Sequence, residues 1–258
     1  MAFNIENYLN SLPLYTTCIV LSNKNLKILP DLSRFIQLTH LFCYDNQLTW
    51  LPPLNNTLIQ LDCSGNKLTE LPPLNNNLTQ LYCSFNCLTE LPLLNNNLKH
   101  LNCSHNKLTE LPPLNNNLTQ LYCYYNELIS LPPLNNNLTQ LYCSHNQLTE
   151  LPHLNHSLRQ LDCSRNQLTW LPPLNNKLHY LDCFNNNICF NDLYNKKINI
   201  LRNFRYTYYA LKYKKHFKRW LWEKVKEPKI MAKFHPSHLT HLLDSDDLEV
   251  FLDDWINK

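Results

Sequence analysis

A chain of 258 residues with a formal net charge of +3 is long enough for one elongated domain and a small second region. It is too weakly basic overall to bind nucleic acid on charge alone. The single glycine excludes a Gly-rich phosphate loop, and the lack of any run of 18 apolar residues excludes a membrane-spanning helix. Sixteen prolines against that one glycine imply turns built from other residues. Asn, which tolerates left-handed backbone better than most, is the expected substitute.

Residues 1–18 read as an amino-terminal cap, with Phe3, Ile5, Tyr8, Leu9 and Leu12 forming an amphipathic stripe. Asn4, Glu6 and Asn7 interrupt any apolar core there, so no signal peptide is expected and the chain is expected to be intracellular. Residues 19–190 then repeat. Cys43, Cys63, Cys83, Cys103, Cys123, Cys143, Cys163 and Cys183 each lie 20 residues from the next, which announces a solenoid or an array. A first copy of 22 residues, from Ile19 to Leu41, precedes about eight of 20, and Lys24 stands in it where the others carry Asn.

Within one copy, Leu61, Cys63, Leu68, Leu71, Leu74 and Leu78 mark the apolar positions. Leu61-x-Cys63 alternates as a short inward-facing strand does, and strands of successive copies are expected to stack in parallel. Asn66 and its equivalents fall where the chain leaves the strand; an inward amide there can satisfy buried backbone groups along a ladder. Leu71-Pro72-Pro73-Leu74 predicts an extended or polyproline-like return, because proline fixes φ and donates no hydrogen bond.

These residues fit the leucine-rich repeat pattern LxxLxLxxNxLxxL, and the recurrent Leu-Pro pair resembles the 20-residue class found in secreted bacterial effectors. The resemblance implies a leucine-rich repeat solenoid with parallel strands on the concave face and an extended convex side.

Eight of the eleven cysteines occupy an inward apolar slot, where a free thiol behaves as a small hydrophobe. A line of thiols in an apolar interior gives no converging set of four ligands for zinc, so no metal and no cofactor is expected. Cys87 departs from the column and reads as an incidental thiol on the strand-side surface. A reducing, intracellular compartment follows from this usage.

The outward residues of the strands form columns rich in aromatic groups and Gln. Phe42, Tyr44, Tyr82, Phe85, Tyr122, Tyr124, Tyr125 and Tyr142 are the candidate partner-binding residues, since exposed rings give large contact area at low entropic cost. Stabilisation of the sheet by cross-strand aromatic pairs is the competing explanation. His105 and His145 lie two copies apart, too far for one metal ion, and read as solvated surface.

Residues 191–258 change character and are expected to form an α-helical carboxyl-terminal region. Eleven Lys and Arg face one acid between Lys196 and Lys226, with apolar residues near helical spacing. A helix capping the open end of the solenoid is the preferred reading. The alternative is nucleic-acid binding through Lys212, Lys214, Lys215, Lys218 and Arg219, in a stretch where Lys and Arg interleave with Tyr206, Tyr208, Tyr209 and Tyr213. The stretch from Trp220 to Ile230, followed by Phe234-His235-Pro236, resembles tails on proteins of giant amoeba-infecting DNA viruses, as does its union with Asn- and Cys-rich Leu-Pro repeats. That resemblance implies a viral protein of the host cytoplasm.

No catalytic constellation is recognisable. A ligase of the ubiquitin type is disfavoured because Cys189-Phe190-Asn191 lacks the acid of the Cys-x-Asp motif that the resemblance to effectors would require. The expected function is a non-enzymatic scaffold for an unknown protein partner, a host protein being one candidate; a ubiquitin-ligase substrate adaptor is a further alternative.

Overall fold

The computed structural model describes residues 3–188. The chain opens with helix α1, Ile5–Ser11, whose first turn is capped by the Asn4 side chain accepting from the Asn7 N–H at 2.9 Å. Such a cap satisfies one of the donors that a helix leaves unpaired at its start. Leu9 is buried, and Phe3, Ile5, Tyr8 and Leu12 pack against the core beside it.

Nine three-residue strands follow: β1 (Cys18–Val20), β2 (His40–Phe42), β3 (Gln60–Asp62), β4 (Gln80–Tyr82), β5 (His100–Asn102), β6 (Gln120–Tyr122), β7 (Gln140–Tyr142), β8 (Gln160–Asp162) and β9 (Tyr180–Asp182). They form one parallel sheet in sequence order, so each copy pairs only with its neighbours, as in a solenoid. The register puts Leu41, Leu61, Leu81 and their successors side by side. Each strand buries its central Leu and leaves its flanking residues half-buried in β2 to β9. Pairing continues past each strand: Cys63 donates to the Tyr82 carbonyl at 2.8 Å and Gly65 to that of Ser84 at 2.8 Å. Among the described residues the return segments carry no helix, consistent with the paired prolines.

The core is the stacked interior of these coils. Leu61, Cys63, Leu68 and Leu78 are fully buried, as are their equivalents through the middle of the array. A buried leucine side chain contributes roughly 1.5–3 kcal/mol. No single coil encloses its own leucines, so this gain exists only while neighbours remain docked.

Buried backbone groups at the bends are met by side-chain amides. The Asn126 Nδ2 donates to the carbonyls of Cys103 at 3.0 Å and Cys123 at 3.1 Å, while its Oδ1 accepts from the Leu108 N–H at 3.1 Å. Asn66, Asn86, Asn106, Asn146, Asn166 and Asn186 repeat the arrangement. In the longer first copy the Asn46 Oδ1 accepts from both Lys24 and Leu26. A second ladder runs on the opposite side. Asn95 Nδ2 donates to the Asn75 carbonyl and Asn115 Nδ2 to that of Asn95, both at 2.8 Å. Each Oδ1 also accepts from the N–H two residues on, as Asn95 does from Asn97.

The turns correct one expectation from composition. The left-handed residue of each bend precedes the ladder Asn, and it is an asparagine only at Asn185 among the 20-residue copies. The others are Asp45, Gly65, Phe85, His105, Tyr125, His145 and Arg165, all with φ between 52° and 63°. The ladder Asn is held back from that role because its amide is committed to the carbonyls inside.

Candidate functional site

Two aromatic series run across the copies on the strand side. The first stands on the strands themselves. Tyr122 and Tyr142 lie with ring centroids 5.1 Å apart, and Tyr142 lies 6.2 Å from Tyr180. The Tyr122 hydroxyl donates to Gln140 Oε1, and that of Tyr142 to Gln160 Oε1 at 2.7 Å. Each ring is therefore tied to the Gln of the following copy, and the parallel register creates the pair. Partial burial raises the pKa of both phenols, which keeps them protonated as donors.

The second series occupies the left-handed bend positions. Phe85 and His105 stack at 3.9 Å, His105 and Tyr125 at 4.3 Å, and Tyr125 and His145 at 3.7 Å. Arg165 takes the next rung. Tyr124 meets His105 edge-on at 5.4 Å and Tyr125 at 6.1 Å. Phe85 is 56% exposed and Tyr125 45%, so the stack is a ridge whose edges face solvent. An open hollow of about 640 Å³ beside it is lined by His105, Tyr125, His145, Arg165, Glu127 and the ladder Asn residues.

This stack revises the reading of the histidines. His105 and His145 are not independent solvated side chains but spacers between rings. Desolvation is the main reason that both imidazoles have lowered pKa values; His145 adds to the effect on His105, and Arg165 to that on His145. The neutral rings stack without mutual repulsion. Sequence reasoning placed these residues in one column but did not name them as part of the site.

Of the eight residues expected to bind a partner, the structure joins Tyr122 with Tyr142, and Phe85 with Tyr124 and Tyr125 through His105. Phe42 stands apart, stacked on His40 at 6.4 Å. Tyr44 also lies in the amino-terminal copies, and Tyr82 bonds Gln80 at 3.2 Å. The column headed by Tyr44 is less open than strand alternation predicts: Ser84, Ser104, Ser144 and Ser164 in it are buried, with Ser104 at 0%. The chain has left the strand by that point, and the Ser144 carbonyl turns to accept from Asn146 Nδ2. The basic residues Lys212, Lys214, Lys215, Lys218 and Arg219 lie outside the described residues.

The cysteine column faces inward as expected. All eight thiols are buried. Burial is the first cause of the raised pKa in each of the seven from Cys43 to Cys163, reaching about 12 for Cys43 and Cys103. Cys18 is exposed and Cys87 half-buried. Cys87 sits past the bend, where its N–H donates to the Leu68 carbonyl, and not on the strand face. A maleimide should therefore modify Cys18 and Cys87 in the folded protein and reach the column only after denaturation. Mass spectrometry of peptides decides this, and an adduct on Cys103 under native conditions would contradict the packing.

Comparison with known proteins agrees with this geometry. The Leucine Rich Repeat family pattern matches residues 97–116. YopM from Yersinia enterocolitica WA-314 is 36% identical over 62% of this chain and 40% of its own, with a TM-score of 0.56. YopM, a leucine-rich effector protein from Yersinia pestis, is 32% identical over 68% of this chain and 56% of its own, with a TM-score of 0.59. The functional domain of InlJ from Listeria monocytogenes, which includes a cysteine ladder, is 35% identical over 70% and 42%, with a TM-score of 0.63. The chain thus spans less than two thirds of the length of each of these three. No curated protein sequence matches it. The nine-stranded parallel stack, the repeating Leu and Asn positions and these likenesses agree: the chain has the fold of the leucine-rich repeat proteins.

Proposed function

We propose that the protein is a non-enzymatic interaction scaffold that holds a protein partner against its aromatic strand side. The observation that carries this reading is the exposed stack Phe85–His105–Tyr125–His145 at four consecutive left-handed positions. Left-handed backbone costs a non-glycine residue roughly 1–2 kcal/mol, and one stacked pair returns roughly 0.5–1.5 kcal/mol. The two nearly cancel, so stability alone accounts poorly for rings where Gly or Asn would sit without strain. What remains is a half-exposed apolar ridge beside Tyr122 and Tyr142, of the composition that anchors interfaces.

A double variant, Tyr122→Ala with Tyr125→Asn, tests this. Asn accepts the left-handed φ, so thermal stability should change little, while a partner recovered by affinity purification from cells expressing the protein should bind at least tenfold more weakly, as loss of hot-spot rings implies. A partner that binds the variant as tightly as the parent would refute the assignment.

A further inference from the structure

The stack ends abruptly at Phe85. His105 covers one face of that ring at 3.9 Å. The rung on the other side belongs to Gly65, which has no side chain to put there. The next rung again is Asp45, and its carboxylate leans across into the vacated place: its Oδ1 occupies the position a Cβ on Gly65 would need. Among the described residues no hydrogen-bond or ion-pair partner meets this carboxylate. The result is a slot one rung wide. Gly65 is its floor, a bare aromatic face is one wall, and an unpaired carboxylate lies at its base. Two rungs span about 9.6 Å of backbone by the strand spacing, room for one flat group between them.

We infer that this slot takes the guanidinium of an arginine side chain on the partner protein, an inference that rests on the scaffold reading above. The chemistry selects that group among the common side chains. A guanidinium is flat and can lie against the Phe85 ring, where a cation is attracted to the face. Its two-pronged edge matches a carboxylate, to which it donates two parallel N–H bonds. An ammonium matches the charge but cannot lie flat on the ring while donating that pair. The chain offers its own precedent, since the Arg34 guanidinium sits 4.7 Å from the centre of the Phe35 ring.

The full chain, labelled with ¹³C in its phenylalanine rings, can be titrated with ethylguanidinium and, separately, with butylammonium. The Phe85 signals, assigned by their loss in Phe85→Leu, should move saturably with ethylguanidinium and hardly at all with butylammonium. Asp45→Asn, a substitution at an exposed residue, should weaken the guanidinium response about tenfold, the value of a charge-assisted hydrogen bond. Equal shifts with both cations, or an unaltered response in Asp45→Asn, would overturn the proposal. This readout needs no partner. An absent guanidinium response with tyrosine-dependent capture intact sinks the slot alone, and saturable binding supports the slot whatever the tyrosine variants do.

Discussion

Raising the pH from 9 to 10 should unfold the solenoid. In each of seven column cysteines burial lifts the thiol pKa, to about 12 for Cys43 and Cys103 and well above the ordinary value for Cys63, Cys83, Cys123, Cys143 and Cys163. In the unfolded chain the same thiols ionise near 8.5–9. Below that pH both states keep the proton, and the stability is complete. Above it the unfolded chain sheds protons that the folded chain retains, and stability falls until the pH passes the folded values. At pH 10 each thiol then costs on the order of 1 kcal/mol, and because all seven act in the same direction the summed loss is on the order of 10 kcal/mol. It is comparable to the whole stability of an ordinary domain, about 5–15 kcal/mol.

Denaturant titrations at a series of pH values, with a reductant present, would measure the effect. The midpoint should hold steady to about pH 8.5 and then collapse within roughly one and a half units. Cys123→Ala should make the fall shallower by one proton in seven, at the cost of a small cavity. Tyr82, Tyr122 and Tyr142, whose pKa values burial also raises, act in the same direction at higher pH. A midpoint unchanged between pH 8.5 and 10.5 would mean that the thiols do not lie in the dry interior.

The period of 20 was enough to read the strands, their parallel order and the inward thiols, because an inward slot must be apolar in every copy whatever its neighbours are. The ladder of Asn66 and its equivalents was legible for the same reason: a bend beside a leucine core leaves backbone groups that only a side chain can reach. The second ladder, through Asn75, Asn95 and Asn115, was not. Polar triplets there carry no apolar spacing, and the available signal was the recurrence of their first Asn, from Asn55 to Asn175, at intervals of 20 residues. The left-handed rungs were also hidden. Residue preference points to Gly or Asn at such positions, and the chain places Phe85, His105, Tyr125 and His145 there. Strand alternation carried past Cys103 would turn Ser104 outward, yet Ser104 is fully buried. The aromatic stack itself depends on the direction of side chains after the bend, which no period in the sequence encodes. The Gly65 slot was therefore invisible until the rungs on both sides of it were in place.

Cutting the inner amide ladder at its centre should be the most damaging single substitution. Asn126→Ala removes one of the two amide donors to each of the Cys103 and Cys123 carbonyls, which keep those from Asn106 and Asn146, and removes the acceptor for the Leu108 N–H. The Leu108 N–H is left unpaired inside, where no water replaces the amide. The orphaned group costs roughly 1–3 kcal/mol and each of the two other lost bonds roughly 0.5–1.5 kcal/mol, which sets the loss at about 2–6 kcal/mol. Because each coil is held only by its neighbours, the break falls where it separates the array into halves. Asn97→Ala is the matched control. The Asn97 amide also bridges copies, donating to the Asn76 carbonyl at 2.7 Å, but it does so in solvent, and its loss should cost less than about 1 kcal/mol. Asn126→Asp sharpens the test, since it keeps the acceptor for Leu108 but points a carboxylate oxygen at two carbonyls. That repulsion raises the folded pKa of the new carboxyl. Its destabilisation should accordingly be greatest at neutral pH and recede on acidification, as the group gains a proton that it can donate. Equal losses for Asn126→Ala and Asn97→Ala would show that burial does not set the value of the ladder, and a pH-independent Asn126→Asp would show that its amide does not face those carbonyls.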